Sequence, residues 1–418
     1  MDGWLQNLIE SRRLGHGLEG TFYTDDTIYQ LDIERVWRRG WLFAGHSCEV
    51  ANPGDYFTLV VGGESILVLR DDRNQINAFH NVCSHRGTVL CDASKGTVGK
   101  IVCPYHQWTY DRAGALIACR GMQEVDHAEL SLGKIYCKVV EGMIYVNLSQ
   151  NPMAFEDASD LIGSIAKPQM LDQAKVAKIV NYQVEANWKI VWENNRECYH
   201  CNVNHPQYIK ANFDHYNSDD TSPAVKKRID SISARNQEKW NAAGLAATHH
   251  ETGMTVFPDI ERNQWYSANR TVLVDGYVSE TMDGKQVAPL MGEYADSDVG
   301  TIRIRTMPNF WNHSSCDHSV STRLLPLGPR QTLVTVYWLV AATAVEGEDY
   351  SLEELMPFWQ LTSEQDWELC ERVQRGVASS GYKPGPFSTA KEYNVDSFVR
   401  WYLGQLQIEG AEGVNTGL

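Results

Sequence analysis

The residues best suited to chemistry lie between Glu193 and Pro206, in the run Glu-Asn-Asn-Arg-Glu-Cys-Tyr-His-Cys-Asn-Val-Asn-His-Pro. This run places a carboxylate, Glu197, next to imidazoles at His200 and His205. Two neutral imidazoles and one carboxylate, with coordination positions left open, form the ligand set that suits non-haem Fe(II) handling O₂. Glu197 and His200 are three residues apart and would share one face of a helix. His205 precedes Pro206, which disfavours helical geometry at the residue before it. The spacing predicts a helix over Trp188–His200 whose last turn bends so that the two imidazoles converge. Two surface histidines on an ordinary helix is the plain alternative for this run taken alone.

A second pattern lies about a hundred residues earlier: Cys83-Ser84-His85-Arg86-Gly87 and then Cys103-Pro104-Tyr105-His106. Each half supplies one thiolate and one imidazole. Zinc modules of the finger type put two cysteines in one half and two histidines in the other, so mixed halves argue against zinc. They fit a [2Fe–2S] cluster with two cysteines on one iron and two histidines on the other, which is Rieske ligation. Gly87 and Pro104 suit tight loops whose backbone N–H groups could reach the cluster sulfurs and tune its potential.

The two patterns together resemble the α subunits of Rieske-type non-haem iron oxygenases, over roughly Leu31 to Gly404. The resemblance makes Cys83, His85, Cys103 and His106 the cluster ligands, and His200 and His205 ligands of a mononuclear Fe(II) that binds O₂. It supplies a third iron ligand from a late helix, where Gln365-Asp366-Trp367 offers Asp366. It makes Glu197 a catalytic carboxylate bridging His200 to a cluster histidine, His106, of a neighbouring subunit in a homotrimer. Ring-hydroxylating members usually carry aspartate at the bridging position. Glutamate in Glu-Cys-Tyr-His-Cys is similar to the branch acting on quaternary ammonium compounds, namely glycine betaine, proline betaine (stachydrine) and carnitine. The stretch Gln365–Pro386 resembles that branch too.

That branch implies oxidative N-demethylation of a betaine with release of formaldehyde. Electrons would come from NAD(P)H through a separate flavin/ferredoxin-type reductase. The alternatives are hydroxylation of an aromatic ring, hydroxylation of another quaternary amine such as carnitine or choline, a Rieske ferredoxin, and an iron-binding regulator without turnover. A ferredoxin needs only the small β domain and leaves two-thirds of the chain unused. A quaternary ammonium has no N–H to donate, so aromatic faces should bind it. Trp265 and Tyr266, Phe310 and Trp311, and Tyr199 are the candidates, because they stand in polar surroundings that could line a cavity.

These groups need a scaffold, and the sequence outlines an α+β one. Residues 1–40 carry helical periodicity and are expected to pack on the catalytic domain. Residues 41–150 change to short β-type runs punctuated by Pro53-Gly54, Gly62-Gly63, Asp71–Asn74 and Ala113-Gly114, as in a small antiparallel Rieske domain. Residues 151–418 mix helices with strand-like runs at Met254–Phe257, Thr271–Val274, Gly300–Arg305, Ser319–Leu325 and Thr332–Val340, predicting an antiparallel sheet covered by helices. Polar sequence over Asn212–Arg235 reads as irregular. A long helix is expected from about Pro357 to Val377 and a shorter one at Val395–Leu406. Gly15-His16-Gly17-Leu18-Glu19-Gly20 spells a dinucleotide-binding pattern, but no strand precedes it and no βαβ unit surrounds it, so it reads as a loop.

With 418 residues the chain can hold two or three domains, and its formal net charge of −16 argues against binding nucleic acid or anionic membranes. The N-terminus lacks the apolar run of a signal peptide, and the strongly apolar windows are too short to span a bilayer. A cytoplasmic protein is therefore expected. Its ten cysteines are too sparse for a disulfide scaffold. Cys48, Cys91, Cys119, Cys137, Cys316 and Cys370 read mostly as small buried hydrophobes.

Overall fold

The computed structural model describes residues 3–122, 124–214, 221–247 and 265–408. Helices α1 (Gly3–Glu10), α2 (Thr21–Thr24) and α3 (Asp26–Asp32) come first, and α3 runs on into a π-helical turn at Ile33–Trp37. The Asp25 carboxylate caps α3 by accepting from the N–H groups of Thr27 and Ile28. Ten short strands follow: β1 (Leu42–His46), β2 (Asp55–Val61), β3 (Glu64–Arg70), β4 (Ile76–His80), β5 (Lys95–Thr97), β6 (Ile101–Val102), β7 (Thr109–Tyr110), β8 (Leu116–Ala118), β9 (Lys134–Val140) and β10 (Met143–Asn147). Seven form one antiparallel sheet in the order β1-β10-β9-β4-β3-β2-β5, and β6-β7-β8 form a second. Leu67, Leu69, Phe79, Trp108, Tyr110 and Leu116 give this end of the molecule a core of its own.

Helix α4 (Glu156–Ala166) leads to β11 (Ala174–Val184), α5 (Trp188–Asn195), α6 (Cys201–Asn204), α7 (Tyr208–Ala211) and α8 (Pro223–Ala242). Then come β12 (Tyr266–Thr271), β13 (Thr301–Thr306), β14 (Phe310–Ser314), β15 (Ser319–Gly328) and β16 (Gln331–Ala341), with α9 (Leu352–Leu355), α10 (Pro357–Val377) and α11 (Tyr393–Gln407) last. The second large sheet is antiparallel in the order β11-β16-β15-β14-β13-β12. The molecule is thus α+β, with a small β module joined to a helix-covered sheet.

The period-2 alternation of strands gives this sheet two different faces. On one, Phe310 stacks on Phe43 of β1 with ring centroids 4.0 Å apart, and Ser321 Oγ lies 3.0 Å from His46 Nε2. That face meets the β module. On the other, Trp311 lies against Trp192 of α5 (5.6 Å) and Trp367 of α10 (6.4 Å), and His313 against Trp359 of α10 (4.4 Å). The second face carries the helices that hold the candidate iron ligands.

Three expectations change. The helix expected over Trp188–His200 stops at Asn195. The segment expected to be irregular over Asn212–Arg235 contains most of α8, which Ser222 caps and Pro223 starts, a pairing suited to a helix N-terminus. The run at Thr271–Val274 falls at the end of a strand that occupies Tyr266–Thr271 instead. Although the cysteines are too sparse for a disulfide scaffold, Cys198 and Cys201 form a disulfide. The run at Met254–Phe257 lies outside the described residues. The Gly15–Gly20 loop precedes α2 without any strand before it, and Gly17 N–H donates to Gly385 O at 3.0 Å.

The N-terminal segment is tied to the catalytic helices through one buried carboxylate. Asp32 accepts from Trp188 Nε1 at 2.9 Å, from Tyr402 OH at 2.7 Å and from the Lys189 ammonium. Asp32 and Lys189 are both fully buried, and burial lowers the pKa of Lys189. Removing one partner of such a pair leaves an uncompensated buried charge, so Asp32→Ala is expected to cost about 3–5 kcal/mol of stability. Urea unfolding of the variant beside the parent protein measures this; a loss below about 1 kcal/mol would contradict the anchoring role.

Candidate metal centres

The cluster motif sits on two loops of matching shape. Cys83 N–H donates to Thr88 O (2.8 Å) and Gly87 N–H to Cys83 O (3.0 Å); Cys103 N–H donates to Trp108 O (2.8 Å) and Gln107 N–H to Cys103 O (3.0 Å). The residue four past each cysteine has a left-handed backbone, with φ of 74° at Gly87 and 62° at Gln107. Glycine suits that conformation in the first loop, and the second accepts it at a non-glycine residue.

Both cysteines are buried, and Tyr110 OH lies 3.4 Å from Cys83 Sγ. Burial pushes the Cys103 thiol up, but the N–H groups of Tyr105 and His106 beside its sulfur outweigh this, and its pKa is lowered. The imidazoles lie toward solvent. His85 Nδ1 and His106 Nδ1 face each other at 3.1 Å, and the His85 ring stacks on Trp108 at 4.8 Å. Buried thiolates with N–H donors on one side and two converging Nδ1 atoms on the other form a donor set that fits a [2Fe–2S] cluster.

The second centre gathers side chains from distant parts of the chain. The path between α5 and α6 is a non-helical loop carrying Glu197, and His200 sits at the N-cap of α6 with His205 at its C-cap. The geometry therefore comes from a loop and a single turn of helix. His200 Nε2 lies 3.1 Å from His205 Nε2 and 3.2 Å from Asp366 Oδ1, and His205 Nε2 lies 2.9 Å from the same oxygen. Asp366 lies on α10, so the long helix supplies the third donor. Three donors meeting at one point, two imidazole nitrogens and one carboxylate oxygen, fit a mononuclear Fe(II) with positions left open.

Neighbouring groups fix which nitrogen faces that point. His200 Nδ1 is paired with the Glu197 carboxylate, and His205 Nδ1 lies 2.8 Å from Gln365 Oε1. Those partners take the Nδ1 protons and leave both Nε2 lone pairs for a metal. Gln207 Nε2 in turn donates to Gln365 Oε1 and to Thr362 Oγ1, each at 2.9 Å. Burial would lower the pKa of His200, but hydrogen bonds with Asp366 and Glu197 outweigh it and raise it to about 10. Burial likewise would raise Asp366, and the two imidazoles bring it below the ordinary carboxylate range. A site that favours a proton this strongly favours a divalent cation for the same electrostatic reason. Cys201 Sγ lies within 4.8 Å of the imidazole nitrogens, but its bond to Cys198 removes it as a thiolate ligand.

The expected aromatic cage is largely dispersed. Phe310 is on the face that meets the β module, and Tyr266 pairs in register with Thr306 on that same face. Trp265 packs on Phe155 at 5.8 Å, on the side of α4. Tyr199 is 59% exposed, with its backbone N–H on the Glu197 carboxylate. Of the five candidates, Trp311 alone lies on the face carrying the iron-ligand helices. Trp192 and Trp367, read from sequence as core, are its neighbours there. Gln365 and Gln207 also went unassigned in the sequence, although Gln365 stands directly before Asp366.

The fold and both centres agree with comparison to known proteins. Residues 40–129 match the Rieske [2Fe-2S] domain, and residues 171–408 match the ring hydroxylating alpha subunit (catalytic domain). The chain belongs to the α subunits of the Rieske non-haem iron oxygenases. It is a monooxygenase of that family, with a Rieske cluster and a mononuclear iron as cofactors and O₂ as co-substrate. It is 39% identical to the glycine betaine monooxygenase oxygenase subunit of Chromohalobacter salexigens over 95% of this chain and 87% of that protein. Its identity to the corresponding subunit of Pseudomonas aeruginosa PAO1 is 38%, over 95% of this chain and 90% of that one. A solved quaternary ammonium Rieske monooxygenase, described with carnitine oxidation by gut microbiota and inter-subunit electron transfer, superposes with a TM-score of 0.71 at 20% identity, covering 96% of this chain and 98% of its own.

If His200 and Asp366 hold the mononuclear iron, His200→Ala and Asp366→Ala should each lose that iron and all turnover, while keeping the visible spectrum of the cluster. Iron content and absorption spectra of the purified variants check this. Full activity in Asp366→Ala would place the third ligand elsewhere.

Proposed function

We propose that this protein removes a methyl group from the nitrogen of a small betaine, glycine betaine or proline betaine, and releases formaldehyde. The observation that carries the reading is the aromatic wall beside the iron ligands. Trp311, Trp192 and Trp367 lie together on the iron side of the sheet, and Trp367 follows Asp366 directly. Indole faces attract a quaternary ammonium, each contributing about 0.5–2 kcal/mol. Near full-length similarity to glycine betaine monooxygenase oxygenase subunits supports the same substrate class.

When bound, the cluster delivers electrons singly and the mononuclear iron activates O₂ next to the substrate. One oxygen atom enters a C–H bond of an N-methyl group; the other leaves as water with two electrons and two protons. The resulting N-hydroxymethyl group breaks its C–N bond, giving formaldehyde and the protonated tertiary amine. A separate reductase drawing on NAD(P)H supplies the electrons. In this chain, Glu197 and Gln365 hold the imidazoles of His200 and His205 in the ligating orientation, and the tryptophans hold the cation.

We further propose a homotrimer in which Glu197 links His200 to the partner subunit's His106. His106 is exposed, and the side chains of Glu197 and His200 are 14% and 16% exposed, so both ends of such a bridge reach the surface. Exposed apolar side chains surround each end: Val82, Val89, Val102 and Tyr105 near the cluster, and Tyr199 and Val203 near the iron loop. Apolar rims of this kind favour burial against another chain.

A panel of betaines and aromatic acids, assayed with a reductase for coupled O₂ uptake and formaldehyde, tests the reaction. Formaldehyde in step with O₂ uptake on a betaine is expected, whereas a dihydrodiol or phenol from an aromatic acid would replace this reading with ring hydroxylation. For the bridge, Glu197→Gln is expected to keep both metals and slow turnover. Mixed trimers of a His106→Ala and a His205→Ala chain should regain part of the activity that each lacks alone. No recovery in demonstrably mixed trimers would confine electron transfer to one chain.

A further inference from the structure

On the sheet face that carries the iron-ligand helices, Trp311 has an arginine beside it. Arg305 of β13 pairs in register with Trp311 of β14, so the two side chains stand next to each other on one face. Two residues earlier on the same strand, Arg303 pairs with His313. The two arginines differ in how they are satisfied. Arg303 donates to the Asp214 carboxylate and, at 2.8 Å, to Asn212 Oδ1.

The other carboxylate of this cluster, Glu280, accepts from Asn212 Nδ2 (3.1 Å) and Thr301 Oγ1 (3.2 Å) and lies 3.6 Å from His313 Nδ1. Arg305 is 5% exposed, and its contact is Nε to Asn195 Oδ1 at 3.3 Å. Among the described residues no carboxylate forms an ion pair with it. Asn195 ends α5, two residues before Glu197, so this guanidinium lies on the same side of the sheet as the metal loop.

Asp214 and Glu280 act on Arg305 at a distance, but neither pairs with it directly, and a buried guanidinium without a directly paired carboxylate is held at an electrostatic disadvantage. Burial, followed by repulsion from Arg303, lowers the pKa of Arg305 to about 10. An anion that pairs with it relieves both effects. A planar guanidinium suits a carboxylate best, through two parallel N–H···O bonds.

From this arrangement we infer that Arg305 is the specificity-determining residue that binds the substrate carboxylate, while Trp311 and Trp367 hold the ammonium end beside Asp366. The inference rests on the betaine reading above and narrows it. The protein selects zwitterions whose carboxylate is a short chain away from the quaternary nitrogen, and discriminates against an alcohol such as choline. The indoles recognise a trimethylammonium group in either molecule. The carboxylate contact separates the two.

The test uses the full chain loaded with both metals, and measures binding by calorimetry and N-demethylation by formaldehyde release. The compounds are glycine betaine, choline and the amide of glycine betaine, in which the carboxylate is neutralised. A charge-assisted pair of this kind predicts that the parent protein binds betaine on the order of 100-fold more tightly than its amide. Arg305→Gln should collapse the betaine-to-choline preference by a similar factor, mainly through KM, with iron content and cluster spectrum retained. Arg305→Lys should keep part of the preference. A parent protein that binds betaine and its amide alike overturns the assignment whether or not the variants fold, and so does an unchanged preference in Arg305→Gln. Either result leaves demethylation itself standing if formaldehyde is still released. Absence of formaldehyde from every quaternary compound would instead remove the underlying reading.

Discussion

The Asp366 carboxylate between two imidazoles is the contact on which the catalytic half depends. It brings α10 to a loop about 160 residues away in sequence, within 2.9 Å of His205 and 3.2 Å of His200. The chain between α5 and α6 is not helical, so regular backbone hydrogen bonding does not hold this geometry. The surrounding packing substitutes for the missing hydrogen-bonded backbone. Trp367, next to Asp366, is fixed against Trp311 of the sheet, and Gln365 on the same helix orients His205. One turn of α10 thus supplies the proposed third ligand, the group on His205 Nδ1 and a tryptophan of the proposed pocket wall. Two carboxylates and two imidazoles in one buried place would be costly without a cation, so the site is built around the charge it is to hold.

The sheet makes this possible by separating two tasks on its two faces. Phe310, Ser321 and Tyr337 lock the β module onto one face. Arg303, Arg305, Trp311 and His313 stand on the other, among the helices. The strands are buried on both sides, so burial alone does not tell these roles apart. Alternation does. Phe310 and Trp311 are adjacent in sequence, equally apolar and equally buried, yet their rings serve opposite sides of the sheet.

That adjacency also explains what was legible in the sequence and what was not. The cluster motif was readable because each ligand pair is local, and the mixed Cys/His halves are chemically distinctive. His200 and His205 were readable for the same reason. Asp366 came from resemblance alone, since an aspartate on a helix carries no mark of its partners. The cage candidates lie apart because polar neighbours in sequence are not neighbours in space. Trp265, Tyr266 and Phe310 were chosen for flanking asparagines, glutamine and arginine, whereas strand register decides which way each ring points. The helix expected over Trp188–His200 followed the three-residue spacing of Glu197 and His200, but α5 ends at Asn195 and the Glu197 carboxylate instead accepts from the N–H groups of Tyr199 and His200. Helix α8 was missed because its exposed face is polar, although Ser222-Pro223 is a readable start signal.

The contrast in burial between the two centres constrains how electrons can pass between them. At the cluster the thiolates are buried and the imidazoles face outward, so the cluster edge bearing His106 is the one open to an acceptor. At the iron, His205 is buried and His200 is partly exposed, and the carboxylate on its outer nitrogen is Glu197. The accessible edges of both centres are therefore histidines, and the iron's histidine already carries the group that could reach another imidazole. One Glu197 oxygen is on His200 Nδ1 and the other accepts from the backbone N–H groups of Tyr199 and His200, so the loop fixes the carboxylate in place. Glutamate gives the carboxylate one more methylene than aspartate, so the loop can fold back on itself through those N–H groups and still reach His200. The proposed bridge thus rests on loop geometry, and the Cys198–Cys201 disulfide lies within the same Glu-Cys-Tyr-His-Cys run.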